Sequence, residues 1–170
     1  MATTYTLISS VTVGSGGAAT IDFTSIPATY TDLLVKTSPR SSRASAQKDN
    51  MLVQFNSSSA NFTGRALTGS GTAASSFTET AGFVSYAVSA AGSTASTFSN
   101  IELYIPNYAS SNNKSVSADG VSETNASAAE MGLHAVLWSN SAAITGVKLT
   151  LSVGNFDQYS TAYLYGISNA

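Results

Sequence analysis

Hydrophobic alternation with a period of two recurs along this chain, and no helical period competes with it. Val147-Lys148-Leu149-Thr150-Leu151-Ser152-Val153 is the clearest case, apolar at every second position and polar between. Successive side chains of a strand point to opposite faces, so burial of one face writes this pattern. The same alternation is read at Tyr5–Val13, Ala18–Thr24, Tyr30–Thr37, Asn50–Asn56, Asn61–Leu67, Phe77–Val88, Phe98–Pro106, Lys114–Glu123, Glu130–Trp138 and Ala162–Ile167. About ten strands punctuated by Gly, Ser, Asn and Pro predict an all-β, jelly-roll-like antiparallel sandwich. Ser122–Met131, with its alanines, is the one stretch of helical composition, sufficient for a turn or two.

Length and composition narrow the frame. At 170 residues the chain fits one domain spanning positions 1–170, with positions 1–4 expected as a short N-terminal arm. Cysteine is absent, which removes disulfides, thiolate zinc sites and cysteine nucleophiles. A net charge of −2 offers no long-range attraction to nucleic acid or to an anionic membrane. No apolar run reaches the roughly 18–20 residues of a membrane-spanning helix, and the N-terminus lacks the pattern of a secretory signal. Only 9% of residues are charged, so the surface must be hydrated by hydroxyls and amides. Such a surface suits close packing beside many copies of itself or of a partner.

Within strands, the alternation sorts residues into faces. Ile21 and Phe23 are expected inside with Asp22 outside; Leu33 and Val35 oppose Leu34 and Lys36; Ile101, Leu103 and Ile105 point inward. In Glu130–Trp138, Met131, Leu133, Ala135 and Leu137 alternate with His134, Val136 and Trp138. The Met131 face is taken as the core side, leaving His134 half-exposed beside Trp138. Thr68–Ser76 is read as a flexible loop, Asp119-Gly120 as a turn, and Gly14-Ser15-Gly16-Gly17 as a hairpin loop rather than a phosphate cradle, since strand composition follows it.

Residues that could carry chemistry are few. His134 is the sole histidine and has no Gly-x-Ser-x-Gly elbow to accompany it, so a hydrolase and a transition-metal site are both disfavoured. The nine carboxylates are scattered about one per strand or turn, as solvated positions or partners of the seven basic residues. No calcium loop is present in the sequence, and no cofactor, metal or catalytic residue is expected. Contacts are a better prospect. Arg40 and Arg43 form a small basic cluster in a serine-rich loop, Trp138 offers an indole, and Tyr163 and Tyr165 share one face of the last strand. Aromatic residues and arginine are favoured at interfaces, and flat rings also stack on sugars.

Two segments carry a family resemblance. Tyr5-Thr-Leu-Ile-Ser-Ser-Val-Thr-Val-Gly, continued by Ile21-Asp-Phe-Thr-Ser-Ile-Pro and Tyr30-Thr-Asp-Leu-Leu-Val-Lys, is the first, and Thr161-Ala-Tyr-Leu-Tyr-Gly-Ile is the second. Together they resemble small β-sandwich structural proteins of tailed bacteriophages. The resemblance implies a virion protein, assembled in the host cytoplasm and present in many copies as a homotrimer. Its partner would be the major capsid protein, bridged by a decoration or cement protein that stabilises the head. The alternative is a tail- or fibre-associated module that binds a host glycan. Strand composition beginning within a few residues of Met1, with no fibre shaft or tail-attachment segment, favours decoration.

Overall fold

A computed structural model describes residues 4–79, 86–125 and 127–168. Its elements are β1 (Tyr5–Thr12), β2 (Thr20–Phe23), β3 (Asp32–Ser38), β4 (Lys48–Phe55), β5 (Phe62–Gly69), β6 (Ala74–Glu79), β7 (Tyr86–Ser89), β8 (Asn100–Ile105), β9 (Lys114–Ser122), β10 (Glu130–Trp138), β11 (Val147–Leu151) and β12 (Thr161–Ile167). The expected all-β, antiparallel, single-domain sandwich is what these strands build. One sheet has eight strands in the order β1-β12-β3-β8-β9-β10-β5-β6, and the other has four in the order β2-β11-β4-β7. The chain crosses repeatedly between sheets, in jelly-roll fashion, so most neighbouring strands are distant in sequence.

The alternation explains the layers. Strand β9 buries Lys114, Val116, Ala118, Gly120 and Ser122 and exposes every residue between them. Strand β4 buries Met51, Val53 and Phe55, and β11 buries Val147, Leu149 and Leu151 against them. Between the sheets these meet Leu33, Val35, Ile101, Leu103, Ile105 and Leu164 from the larger sheet. Phe55, Phe62 and Trp138 close one part of this core. The Phe55 and Trp138 rings stand edge to face at 5.5 Å, a preferred aromatic geometry.

Several expectations need correction. Strand β10 is turned over: His134, Val136 and Trp138 face the core, while Met131, Leu133 and Leu137 face out. Both faces are apolar, so alternation alone carries no sign. Thr68–Ser76 is no loop; β5 runs through Gly69, β6 starts at Ala74, and Ser70 N donates to Ala73 O across the tight turn. Asp119 and Gly120 lie inside β9, paired with Leu133 and Gly132 of β10. Gly14–Gly17 crosses from one sheet to the other instead of closing a hairpin. Gly17 is required there: its φ is +69°, and an added Cβ would come within 2.9 Å of the Phe156 carbonyl.

The Phe77–Val88 segment divides into β6 and β7, which belong to different sheets, and its residues 80–85 lie outside the described residues. So do Met1–Thr3 of the expected arm. Ser122 and Met131 end up in β9 and β10, and the described residues between them form no helical turn.

Candidate functional site: the open face of the larger sheet

Three buried charged groups, Asp49, Arg40 and Lys114, are held by hydrogen bonds within the chain. Asp49 sits fully enclosed at the start of β4, where Oδ1 accepts from Ser152 Oγ (2.7 Å) and Asn50 N (2.8 Å), and Oδ2 from Ser41 Oγ and Gly154 N (both 2.8 Å). Burial pushes this carboxyl upward, but the hydrogen bonds together outweigh it and hold the acid below its ordinary range. Arg40 is the corresponding buried cation. Its guanidinium donates to the carbonyls of Thr97 (2.7 Å), Thr94 (3.1 Å) and Ala90 (3.2 Å), pinning the loop that follows β7. Arg40 was expected on the surface as a partner contact; it is 8% exposed and occupied internally. Arg43 is half-buried beside it, with Nη1 at 3.3 Å from Lys48 O and 3.8 Å from Asp49.

Trp138 is likewise corrected. It is 1% exposed, inside the core, and Lys114 lies 5.5 Å over its ring. The Lys114 ammonium, pushed down by burial, donates to Ser110 O (2.8 Å), Ala142 O (2.6 Å) and Asn140 O (3.3 Å). Tyr108 is also buried, with its hydroxyl on Pro27 O. His134 pairs with Glu79 at 3.2 Å on the inward side of the sheet. Among the described residues, no group of His, Asp and Glu is clustered to hold a metal ion.

The outer face of the eight-stranded sheet is open to solvent, and its side chains are far from uniform. Residues paired directly across strands form rows. One row runs Tyr163, Lys36, Glu102, Asp119, Leu133, Leu67 and Ser76, from β12 to β6. The next runs Leu7, Tyr165, Leu34, Tyr104, Ser117, Ala135, Arg65 and Thr78, from β1 to β6. Read across, the face is aromatic on one half, charged in the middle and aliphatic on the other half.

The aromatic half holds Tyr163 and Tyr165, with stacked rings 6.5 Å apart, along with Tyr5, Leu7 and Tyr104. The Tyr104 hydroxyl donates to Asp32 at 2.7 Å, and this bond raises its pKa. A hollow of about 420 Å³ lies among Tyr5, Leu34, Lys36, Glu102 and Tyr165. In the charged band Lys36 meets Glu102 at 2.7 Å, and the hydrogen bond to Glu102 lifts the ammonium above its usual range.

The aliphatic half centres on β10. Met131 and Leu133 are each 57% exposed and Leu67 53%, with Val121 and Leu137 beside them. Small neighbours, Ala135, Ser117 and Gly69, leave hollows between these ridges, the largest about 500 Å³ above Leu67, Asp119 and Leu133. Isolated exposed apolar residues are ordinary, but contiguous ones mark contact surfaces. Of the five contacts expected from sequence, this face brings together only Tyr163 and Tyr165. Met131 and Leu133 escape the sequence reading because their strand face is read as the core side, and Leu67 and Val121 because Asn61–Leu67 and Lys114–Glu123 carry no face assignment. Asp119, a charge within β9, marks its own side as outward, and the register of β9 against β10 in the folded sheet extends that to Leu133. No protein-family model, curated protein or solved structure matches the chain.

Proposed function

We propose that the protein is a virion structural protein of a tailed bacteriophage, a capsid decoration protein that lies on major-capsid subunits in many copies and stabilises the head. The observation that carries the contact-making part of this reading is the open outer face, which combines exposed tyrosines and aliphatic residues with a single internal ion pair. The virion placement is supported by the resemblance of the opening and closing segments to small phage structural proteins.

The physics suits that role. A sandwich whose polar groups are consumed internally presents a rigid sheet, so little ordering entropy is lost on docking. Each copy offers modest contact area, and repetition on a lattice multiplies it. A surface with few charges also lets identical copies lie close without mutual repulsion. No bond-making step enters this reading.

Cryo-electron microscopy of virions assembled with the protein tests it. The reading expects one sandwich at regular capsomer junctions, with the outer face of the larger sheet against the capsid. Density confined to the tail, with glycan binding lost on Tyr163→Ala, would replace it with the receptor-binding alternative. Absence of the protein from the particle would overturn both.

A further inference from the structure

The aliphatic half of the open face is laid out to meet its own copy, and we infer that the protein pairs face to face about a two-fold axis running along β10. Strand β10 is the symmetry line because its neighbours carry opposite charges. On one side, Arg65 projects from β5 beside Ala135; on the other, Asp119 projects from β9 beside Leu133. Among the described residues neither forms an ion pair, although Arg65 Nη1 donates to Gly64 O at 2.8 Å.

A two-fold axis along β10 lays β5 of one copy over β9 of the other. Arg65 of each copy then stands opposite Ser117 of its partner, one side-chain step of about 7 Å along the strand from Asp119, within reach of an arginine. The operation produces the pair twice, as an isologous interface demands. Between the pairs, Met131, Leu133 and Leu137 each meet their own copy on the axis, with Ala135 leaving room between them, the side chains filling the roughly 10 Å that separates aligned sheets. An axis across the strands would instead set Arg65 against the partner's β5 and leave both charges unpaired on apolar surface, a costly outcome.

The area is consistent with reversible pairing. From strand spacing and rise, the overlap of β8, β9, β10, β5 and β6 covers about 600 Å² of sheet plane on each copy, so the pair exceeds the ~1,000 Å² that separates specific from incidental contacts. The partner's edge strand β6 reaches over β8, while the tyrosines of β12 and β1 lie past the overlap and stay open for another partner. The pair therefore stands independently of the virion reading, and its test uses no particle.

Sedimentation of the full chain from about 1 to about 200 µM is the experiment. The expected result is a mass rising from 17.4 kDa to twice that value, with a dissociation constant in the micromolar range. Arg65→Asp and Asp119→Arg are each expected to weaken the dimer by about tenfold or more, and the double reversal to restore it. Tyr163→Ala should leave the mass unchanged. A 17.4 kDa species throughout, a trimer, or a dimer indifferent to both charge reversals would overturn the inference.

Discussion

The two faces of β10 differ by one residue of register and by everything else. Inward, Trp138, Val136 and His134 are enclosed, touching Phe55, Phe62, Lys114 and Glu79. Outward, Leu133 and Met131 are each more than half exposed. Both faces are rich in apolar side chains, so hydrophobicity cannot be what distinguishes them. The inner face stabilises the molecule; the outer face is available to bind. A strand that is apolar on both sides satisfies one requirement within the chain and leaves the other for a second surface.

The sharpest way to break this contrast is to truncate each face. Trp138→Ala should cost about 3–5 kcal/mol of unfolding free energy, read by urea denaturation, since it opens a large cavity in the aromatic cluster. Asp49→Ala should cost a comparable ~3–5 kcal/mol, because Ser41, Ser152, Gly154 and Arg43 all lose their buried partner. Lys114→Met should cost about 2–3 kcal/mol, as the carbonyls of Ser110, Asn140 and Ala142 are left without their donor.

A pH titration sharpens the loop end of the comparison. Asp49 has its carboxyl depressed in the folded state, so the stability it contributes is present above its unfolded value of 3.8 and is lost as pH falls through the lower folded value. Wild-type unfolding free energy should therefore fall more steeply below pH about 4 than that of Asp49→Asn. Leu133→Ser completes the series with the smallest effect on folding. Its unfolding free energy should stay within about 0.5 kcal/mol of wild type, while self-association weakens. A loss like that of Trp138→Ala would mean Leu133 is a packing residue after all.

Much of this architecture could be read from the chain, and the misses share a cause. Strands with sharp apolar contrast, such as β8 and β11, were placed to within a residue or two and with the correct face inward. The first half of β6 and the end of β5 read as a loop because Gly69, Ala74, Ser75 and Ser76 have little side-chain contrast to alternate. Arg40 was placed in solvent because nothing local announces that the carbonyls of Ala90, Thr94 and Thr97 converge on it from some fifty residues away. The orientation of β10 needed its register against β9, which only the folded sheet supplies. Tyr163 and Tyr165 were legible because a plain alternating strand placed them together.

The claim that the outer face of β10 is a contact surface is tested most directly by the oxidation of Met131. Its thioether lies on that face, whereas Met51 is sealed in the core. With peroxide in excess, the rate of Met131 sulfoxide formation should fall by about tenfold between about 1 and about 200 µM protein, as association covers the face. A rate that is the same at both concentrations would contradict the account.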